Sequence, residues 1–528
     1  MSAPTLTQAQ AWRPGALAEL AQAWDAAARR VDEAADAVVA LTEASREHWA
    51  GRAADAAAEQ ARRVAAVGAD RARALIAASV ASHDGAGQIA TARGDLLELV
   101  ETARRDGFVV ADDGSVRHTG TADPMLVLLA GGDGGAAAQM LEVRGADLQS
   151  QIAAALARLA TADEDAAADI TSALGATDPV PTAPADPDGM VRAWPRMGQE
   201  AIAAQIAAMT ADQRDRLVHE FPREVGNTDG VPWPLRVAAN RVNIAEAILA
   251  ESGGDDGSRR RLALYRDLLA EVDDPNHAGG RIRRQILGFD PARASLIELH
   301  GDLASARGVA VLVPGVNTTM EGSAANAATA RRFVTGSEGD VAMITYLGGP
   351  FPQVHNPLAV LLDAADPDKA QDMAPRLVAF SEDVERTVAP GVPVTVIGHS
   401  YGGSIVGTAE TMGLTSDRTL FLAAAGAGVG VDDASEWHNR NPAVVRFSMT
   451  APGDFIEMVQ GIPGGPHGAD PDEMAGVIPL ATGRYDDGGF VAGFGAHSGM
   501  LNRPSDSWRT ILAVITGDAE TWQHARID

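Results

Sequence analysis

From Pro14 to Ala176 apolar side chains recur three, four and seven positions apart, as at Leu17, Leu20, Trp24, Val31 and Val38, with Ala, Glu, Asp and Arg between them. That spacing lays one apolar stripe along a helix. It predicts a helix from Pro14, a residue suited to a first helical turn, to about Glu47, a break at Trp49-Ala50-Gly51, and a second helix beyond it. The product is a helical hairpin. A further helix is expected near Ile89 to Arg105. Asp113-Gly114, between β-forming Phe108-Val109-Val110 and Val116, signals a small β-hairpin. An Ala-rich helix should then cover about Gly135 to Leu174.

Pro179, Pro181, Pro184 and Pro187 cannot continue a helix and favour an extended spacer. The chain therefore divides into a helical domain over residues 1–177, a Pro-rich linker over 178–190 and a second domain over 191–528. In that last part the pattern changes to short β-branched runs separated by helical stretches. The runs are Ser295 to Leu299, Val309 to Val313, Val341 to Tyr346, Val394 to Ile397, Thr419 to Ala423 and Val444 to Met449. Alternation of that kind predicts an α/β class with a mostly parallel sheet and helices on both faces.

Composition narrows the chemistry. With 71 acidic against 43 basic residues the net charge is -28, which repels phosphate backbones and argues against a nucleic-acid partner. Cysteine is absent, so disulfides, thiolate metal sites and a cysteine nucleophile are excluded. No run of about 18 apolar residues predicts a transmembrane segment. Met1 to Arg13 lacks the basic and apolar regions of a Sec signal, so the expected location is the cytoplasm, or outside it by a route that needs no Sec signal.

The most informative stretch is Val394-Thr395-Val396-Ile397-Gly398-His399-Ser400-Tyr401-Gly402-Gly403-Ser404, an apolar strand entering Gly-x-Ser-x-Gly and then a helix-compatible run. A serine at such a strand-to-helix turn is held in strained geometry as a nucleophile, and small residues on either side let strand and helix approach. Ser400 is therefore the candidate nucleophile. In folds that use this turn the acid and the histidine follow in chain order, each after a later strand. Asp454, in Ala-Pro-Gly-Asp after the run ending at Met449, fits the acid, although turn aspartates often only cap their own backbone. His497, in Gly-Phe-Gly-Ala-His-Ser-Gly, fits the base on a glycine-rich loop. His467, His399 and His524 are its rivals, and a structural role is the preferred reading of His467 and His524. For the oxyanion, the Tyr401 amide is one donor and the Val316 amide in Pro-Gly-Val-Asn-Thr the other, with Asn317 as the alternative. Gly226 to Trp233 is a turn-rich aromatic segment that could cover the site, and Gly461 to Gly489 should form a pocket rim. Asp470, Asp472, Asp486 and Asp487 read as surface charge. No metal and no organic cofactor is called for.

With these motifs in view, about Val191 to Ile515 resembles an actinobacterial α/β-hydrolase family. The resemblance implies an α/β-hydrolase fold, with Ser400 as nucleophile, Asp454 as acid and His497 as base. The fold carries an expectation of carboxylic ester cleavage through an acyl-enzyme, on a small-molecule or lipid-like ester. The N-terminal hairpin resembles the Trp-x-Gly hairpins linked to type VII secretion, which implies a helical secretion partner. The rival reading is a secretion-associated interaction protein built on an inactive hydrolase scaffold.

Overall fold

The computed structural model describes residues 4–527 apart from 122, 176–186, 278, 355–366, 459 and 461–464. The chain forms two compact units, one of residues 1–179 with 248–250 and one of the remainder.

The first unit is built on the helices Pro14–Ser45, Arg52–Arg105 and Gly134–Gly175, preceded by a short helix Leu6–Ala11. Thr5 starts that short helix with a capping box: its hydroxyl accepts from the Gln8 amide at 3.3 Å, and the Gln8 side chain accepts from the Thr5 amide at 2.9 Å. The hairpin corner falls at Trp49-Ala50-Gly51, where Gly51 has φ 117°. The helix expected separately near Ile89 to Arg105 is the end of one 54-residue helix. Gly85, Gly87 and Gly94 do not interrupt it, because the buried stripe Ile76, Val80, Ile89, Leu96 and Val100 continues through them. Strands β1 (Phe108–Val110) and β2 (Val116–His118) form the expected antiparallel hairpin. The core beside them gathers Leu96, Val100, Phe108, Leu148, Ile152 and Leu159.

The linker expected over 178–190 lies outside the described residues as far as 186. From Pro187 the chain is helical, Pro187–Ala193, because proline serves well as a first helical residue. Further helices follow to Leu269, and then a small hairpin of β3 (Glu271–Asp273) and β4 (Arg281–Arg283). The main sheet contains β5 (Gln285–Asp290), β6 (Ser295–His300), β7 (Gly308–Val313), β8 (Val341–Leu347), β9 (Val394–His399), β10 (Arg418–Leu422), β11 (Val445–Met449) and β12 (Val477–Pro479). Their order is β12-β11-β10-β9-β7-β8-β6-β5. β6 runs antiparallel to both neighbours, and every other pairing from β8 to β12 is parallel.

This is an α/β-hydrolase fold, as expected. β7 and β8 are buried at every position, which is why they read as unbroken apolar runs. The helices Ala324–Gly336, Asp368–Thr387, Tyr401–Thr411 and Asp506–Thr516 bury apolar faces such as Phe333, Leu377 and Phe380, Ile405 and Val406, and Ile511 and Val514. The parallel strands therefore all deliver their following loops to one edge, and the candidate residues lie there.

Candidate active site

β9 sits between β7 and β10, and Ser400 follows its last residue. Ser400 adopts φ 58° and ψ -124°, a region that a side chain normally avoids, and the helix Tyr401–Thr411 starts at the next residue. Three backbone hydrogen bonds hold this turn. The Ser400 amide donates to the Leu422 carbonyl at 3.0 Å, and the Ser400 carbonyl accepts from the Gly403 and Ala425 amides at 2.9 Å each. Gly402 is required by close approach, since a Cβ there would lie 2.1 Å from the Val313 carbonyl oxygen. The sequence spacing that suggested a sharp strand-to-helix turn corresponds to this packing.

Asp454 follows β11 and is 2% exposed. Its carboxylate accepts from His497 Nδ1, at 3.0 Å to each oxygen, which leaves Nε2 as the ring's proton acceptor. Oδ1 also accepts from the Ile456 amide at 3.1 Å. The residue thus caps its own turn and holds the imidazole at once. The Gly493 amide donates to the Pro452 carbonyl at 2.8 Å and ties the two segments together. His497 differs from expectation in one respect: it lies in the first turn of the helix Ala496–Asn502, with only the preceding Gly493 to Gly495 outside that helix.

His399 links this pair to the turn. Its Nε2–H donates to the His497 carbonyl at 2.8 Å, and the two rings lie 4.9 Å apart. Burial, reinforced by the His497 charge, pushes the His399 imidazole down to about 4 despite its hydrogen bond and Asp454, so it is neutral at ordinary pH. In the sequence His399 is a rival to His497 for the base, and its adjacency to Ser400 carries no signal of this contact. Among the described residues no hydrogen bond joins the Ser400 hydroxyl to His497, a closure that such sites often make only with substrate present.

The loop after β7 lies against the serine. A Cβ on Gly315 would stand 2.6 Å from Ser400 Cβ and 2.9 Å from its Oγ. Between the two candidate donors on this loop the backbone distinguishes clearly. The Asn317 amide donates to the Pro352 carbonyl at 2.8 Å, and its side-chain oxygen accepts from the Val354 amide at 2.6 Å, with φ at 60°. Val316, half-buried, has an amide with no acceptor among the described residues. Tyr401 is buried, and its hydroxyl accepts from the Ala370 amide at 3.1 Å.

The remaining candidates fall elsewhere. His467 is 2% exposed, and its Nδ1 is 2.9 Å from the Ser404 hydroxyl, with the ring edge-on to Tyr401 at 5.3 Å. His524 lies in the helix Ala519–His524, its Nδ1 against the Glu520 carbonyl. Among the described residues the segment Gly226 to Trp233 makes no hydrogen bond to Ser400's turn. It meets Asp383 of the helix Asp368–Thr387, whose carboxylate accepts from the Gly230 amide at 3.0 Å and Trp233 Nε1 at 2.8 Å. The described part of 461–489 includes Asp470, whose carboxyl burial raises to about 6 against a hydrogen bond from the Asp472 amide, the charges of Asp472 and Glu473 adding to the rise. Among the described residues no cluster of His, Cys, Asp and Glu could hold a metal, and no helix is long and apolar enough to cross a membrane.

Comparison with known proteins agrees with this architecture. An alpha/beta hydrolase family model matches residues 290–463, from the end of β5 into the segment after Asp454. Two uncharacterized proteins of Mycobacterium tuberculosis, MT2140 of strain CDC 1551 and Rv2079 of strain H37Rv, are each 24% identical over 300 residues. Those alignments cover 48% of this chain and 44% of each relative, so less than half of either relative is represented. Among solved structures, TT1662 from Thermus thermophilus is 14% identical, with a TM-score of 0.24, 44% of this chain covered and 99% of that one. The Francisella virulence factor BioJ is 12% identical, with a TM-score of 0.20, 48% of this chain covered and 80% of that one. Those scores are too low to bear on the fold, which rests on sheet order and the family match.

Proposed function

We propose that this hydrolase cleaves a carboxylic ester through a serine-bound acyl intermediate. The observation that carries the reading is Ser400, held at φ 58° at the end of a central strand, beside an Asp454–His497 pair fastened to the same turn through His399. His497 Nε2 takes the Ser400 proton as Oγ attacks the carbonyl carbon. Asp454 keeps the imidazole oriented and stabilises its cationic form. The Tyr401 and Val316 amides receive the oxyanion, and the leaving alcohol takes the proton from His497. A water activated by the same imidazole then releases the acid.

An apolar substrate portion is favoured by the surface around His497. Phe455 lies 4.5 Å from the His497 ring and stacks on Phe494 at 6.1 Å, and Phe494 is 74% exposed. A lipid-like or aryl ester would cover that ring. None of the residues assigned to this chemistry belongs to the helical unit. Its hairpin corner, with Trp49 44% exposed, and Leu41 72% exposed on the helix before it support assigning the unit to a helical partner of the type VII secretion kind, while the mycobacterial relatives support an actinobacterial hydrolase lineage.

The test is covalent labelling of the folded protein with a fluorophosphonate. Labelling that disappears in Ser400→Ala supports the reading. A folded protein that takes no label would return the scaffold to the role of an inactive interaction module.

A further inference from the structure

The second unit contains a cavity of about 320 Å³ that the chemistry at Ser400 does not use. It is roomy, since an apolar cavity of about 150 Å³ already admits benzene. Tyr346, near the end of β8, forms part of its wall and is 1% exposed, yet its hydroxyl has no hydrogen-bond partner among the described residues. The hydroxyl opens onto the cavity, where it can donate to a ligand or a water. Burial also holds this phenol far above its ordinary range, so it remains an O–H donor.

Arg376, from the helix Asp368–Thr387, reaches the same place. One of its nitrogens donates to the Gly348 carbonyl at 3.0 Å, and among the described residues the guanidinium has no carboxylate partner. Gly348 joins the two groups, because a Cβ there would lie 2.4 Å from the Tyr346 hydroxyl oxygen. Only a residue without a side chain leaves that oxygen accessible beside the carbonyl that Arg376 grips.

The charge balance of the wall decides the sign of a ligand. Asp229 is paired with Arg236 at 2.9 Å, and Arg236 also meets Asp383 at 2.8 Å, which Arg386 neutralises in turn. Asp290 lies 3.4 Å from Arg293. Each carboxylate here has its own cation, and Arg376 is left over in a chain whose net charge is -28. Gly226 to Trp233, which the active site did not absorb, thus supplies Asp229 to this wall.

We propose that this cavity binds a small organic oxyanion, a carboxylate in the first instance. Its two oxygens lie against Arg376 and one accepts from Tyr346, while its apolar body rests on Phe380 and Ile297. A planar guanidinium suits a carboxylate's two oxygens, and a phosphate monoester shares that chemistry. The location is separate from Ser400. β8 is two strands from β9, with β7 between them, which at about 4.8 Å per strand places Tyr346 roughly 10 Å across the sheet from the nucleophile's strand.

Titration calorimetry of the full chain at low salt tests this with three probes of one size: benzoate, phenyl phosphate and benzyl alcohol. The expected result is saturable one-to-one binding of benzoate, with none for benzyl alcohol. Arg376→Gln and Tyr346→Phe should each weaken benzoate by about tenfold or more, the usual cost of losing a hydrogen bond to a charged group. Thermal unfolding of both variants checks that they are folded, and Ser400→Ala should bind benzoate as the parent does. Phenyl phosphate binding tighter than benzoate, with the same dependence on Arg376, would support the site and assign it to phosphate monoesters. Absence of saturable binding by either anion would overturn the proposal, as would affinity indifferent to both substitutions or loss of binding in Ser400→Ala.

Discussion

The two units are assembled from different materials, and the difference locates the chemistry. In the helical unit the Pro14–Ser45 helix buries Ala21, Ala28 and Ala35, seven residues apart, and packing is set by small side chains. Among its described residues, positive φ occurs only at glycines. The hydrolase unit holds all five described non-glycine residues of positive φ: Ala294, Asn317, Glu338, Ser400 and Ala423. One of them is Ser400, and another, Asn317, lies two residues beyond Gly315, where an added Cβ would touch Ser400. Such conformations persist only where the surroundings over-determine them, and they gather where function needs a fixed geometry. Regular packing marks the helical unit, and local strain marks the unit in which the candidate site lies.

The largest effects should therefore come from the residues around that strain. His497→Ala and Asp454→Asn should each lower kcat/KM for a soluble ester by about 10⁴-fold, with thermal unfolding little changed, because losing either the base or its orienting carboxylate has that scale in serine hydrolysis. Unaltered hydrolysis by either variant would remove that residue from the mechanism. Gly315→Ala comes next. Its methyl group would be forced to within 3 Å of Ser400 Oγ, displacing the nucleophile or the Val316 amide. A fall of about 10² to 10³ in kcat is expected, the usual scale for one lost oxyanion donor. A fully active Gly315→Ala would mean that this loop gives way easily and takes no part in the site.

Much of this contrast was legible in the sequence, and the parts that were not have physical reasons. β6 to β11 were readable because most of their buried positions carry β-branched or apolar residues. β5 was missed because Gly288 falls where its register to β6 shifts, and β12 because three residues at a sheet edge carry no period. Ser400, Asp454 and His497 could be found from chain order and turn composition. His399 could not, since its value lies in a contact with a carbonyl 98 positions away. Asn317 likewise spends its amide and side chain on Pro352 and Val354, pairings that no local pattern announces.

Acid should discriminate the hydrolase unit through buried charge. Glu298 on β6 receives Arg284 at 2.6 and 2.8 Å and has His300 at 3.8 Å. Burial opposes its ionisation, but His300 and Arg284 outweigh it and lower its carboxyl to about 2. Burial pushes His300 down to about 4, against the pull of Glu298. Between about 6.5 and 4 the unfolded chain binds a proton at His300 that the folded chain refuses, so stability is full above 6.5 and lost as pH falls through that window. The slope is about 1.4 kcal/mol per pH unit for one such group. Glu298 adds a second loss from about 4.5 toward 2. Thermal unfolding at pH 7 and pH 4.5 should differ by several degrees, and His300→Gln should shrink that difference even if it lowers stability at pH 7. An unchanged difference in the variant would assign acid sensitivity to other groups.

The smallest expected effect on catalysis tests the comparison itself. Gly85 lies where the Arg52–Arg105 and Gly134–Gly175 helices approach closely, and a Cβ there would stand 2.6 Å from Ala166 Cβ. Gly85→Leu must push those helices apart, and overpacking of this kind costs about 1 to 3 kcal/mol. Circular dichroism at 222 nm should show the helical transition moving to lower temperature. The same preparation should hydrolyse a small soluble ester with kcat/KM within about twofold of the parent, because none of the groups assigned to proton transfer or oxyanion binding lies in that unit. Helix loss and activity loss that track each other through Gly85→Ala and Gly85→Leu would contradict the division. It would mean that the Ala-packed unit sustains the reactive geometry around Ser400, and that strain in one unit depends on regular packing in the other.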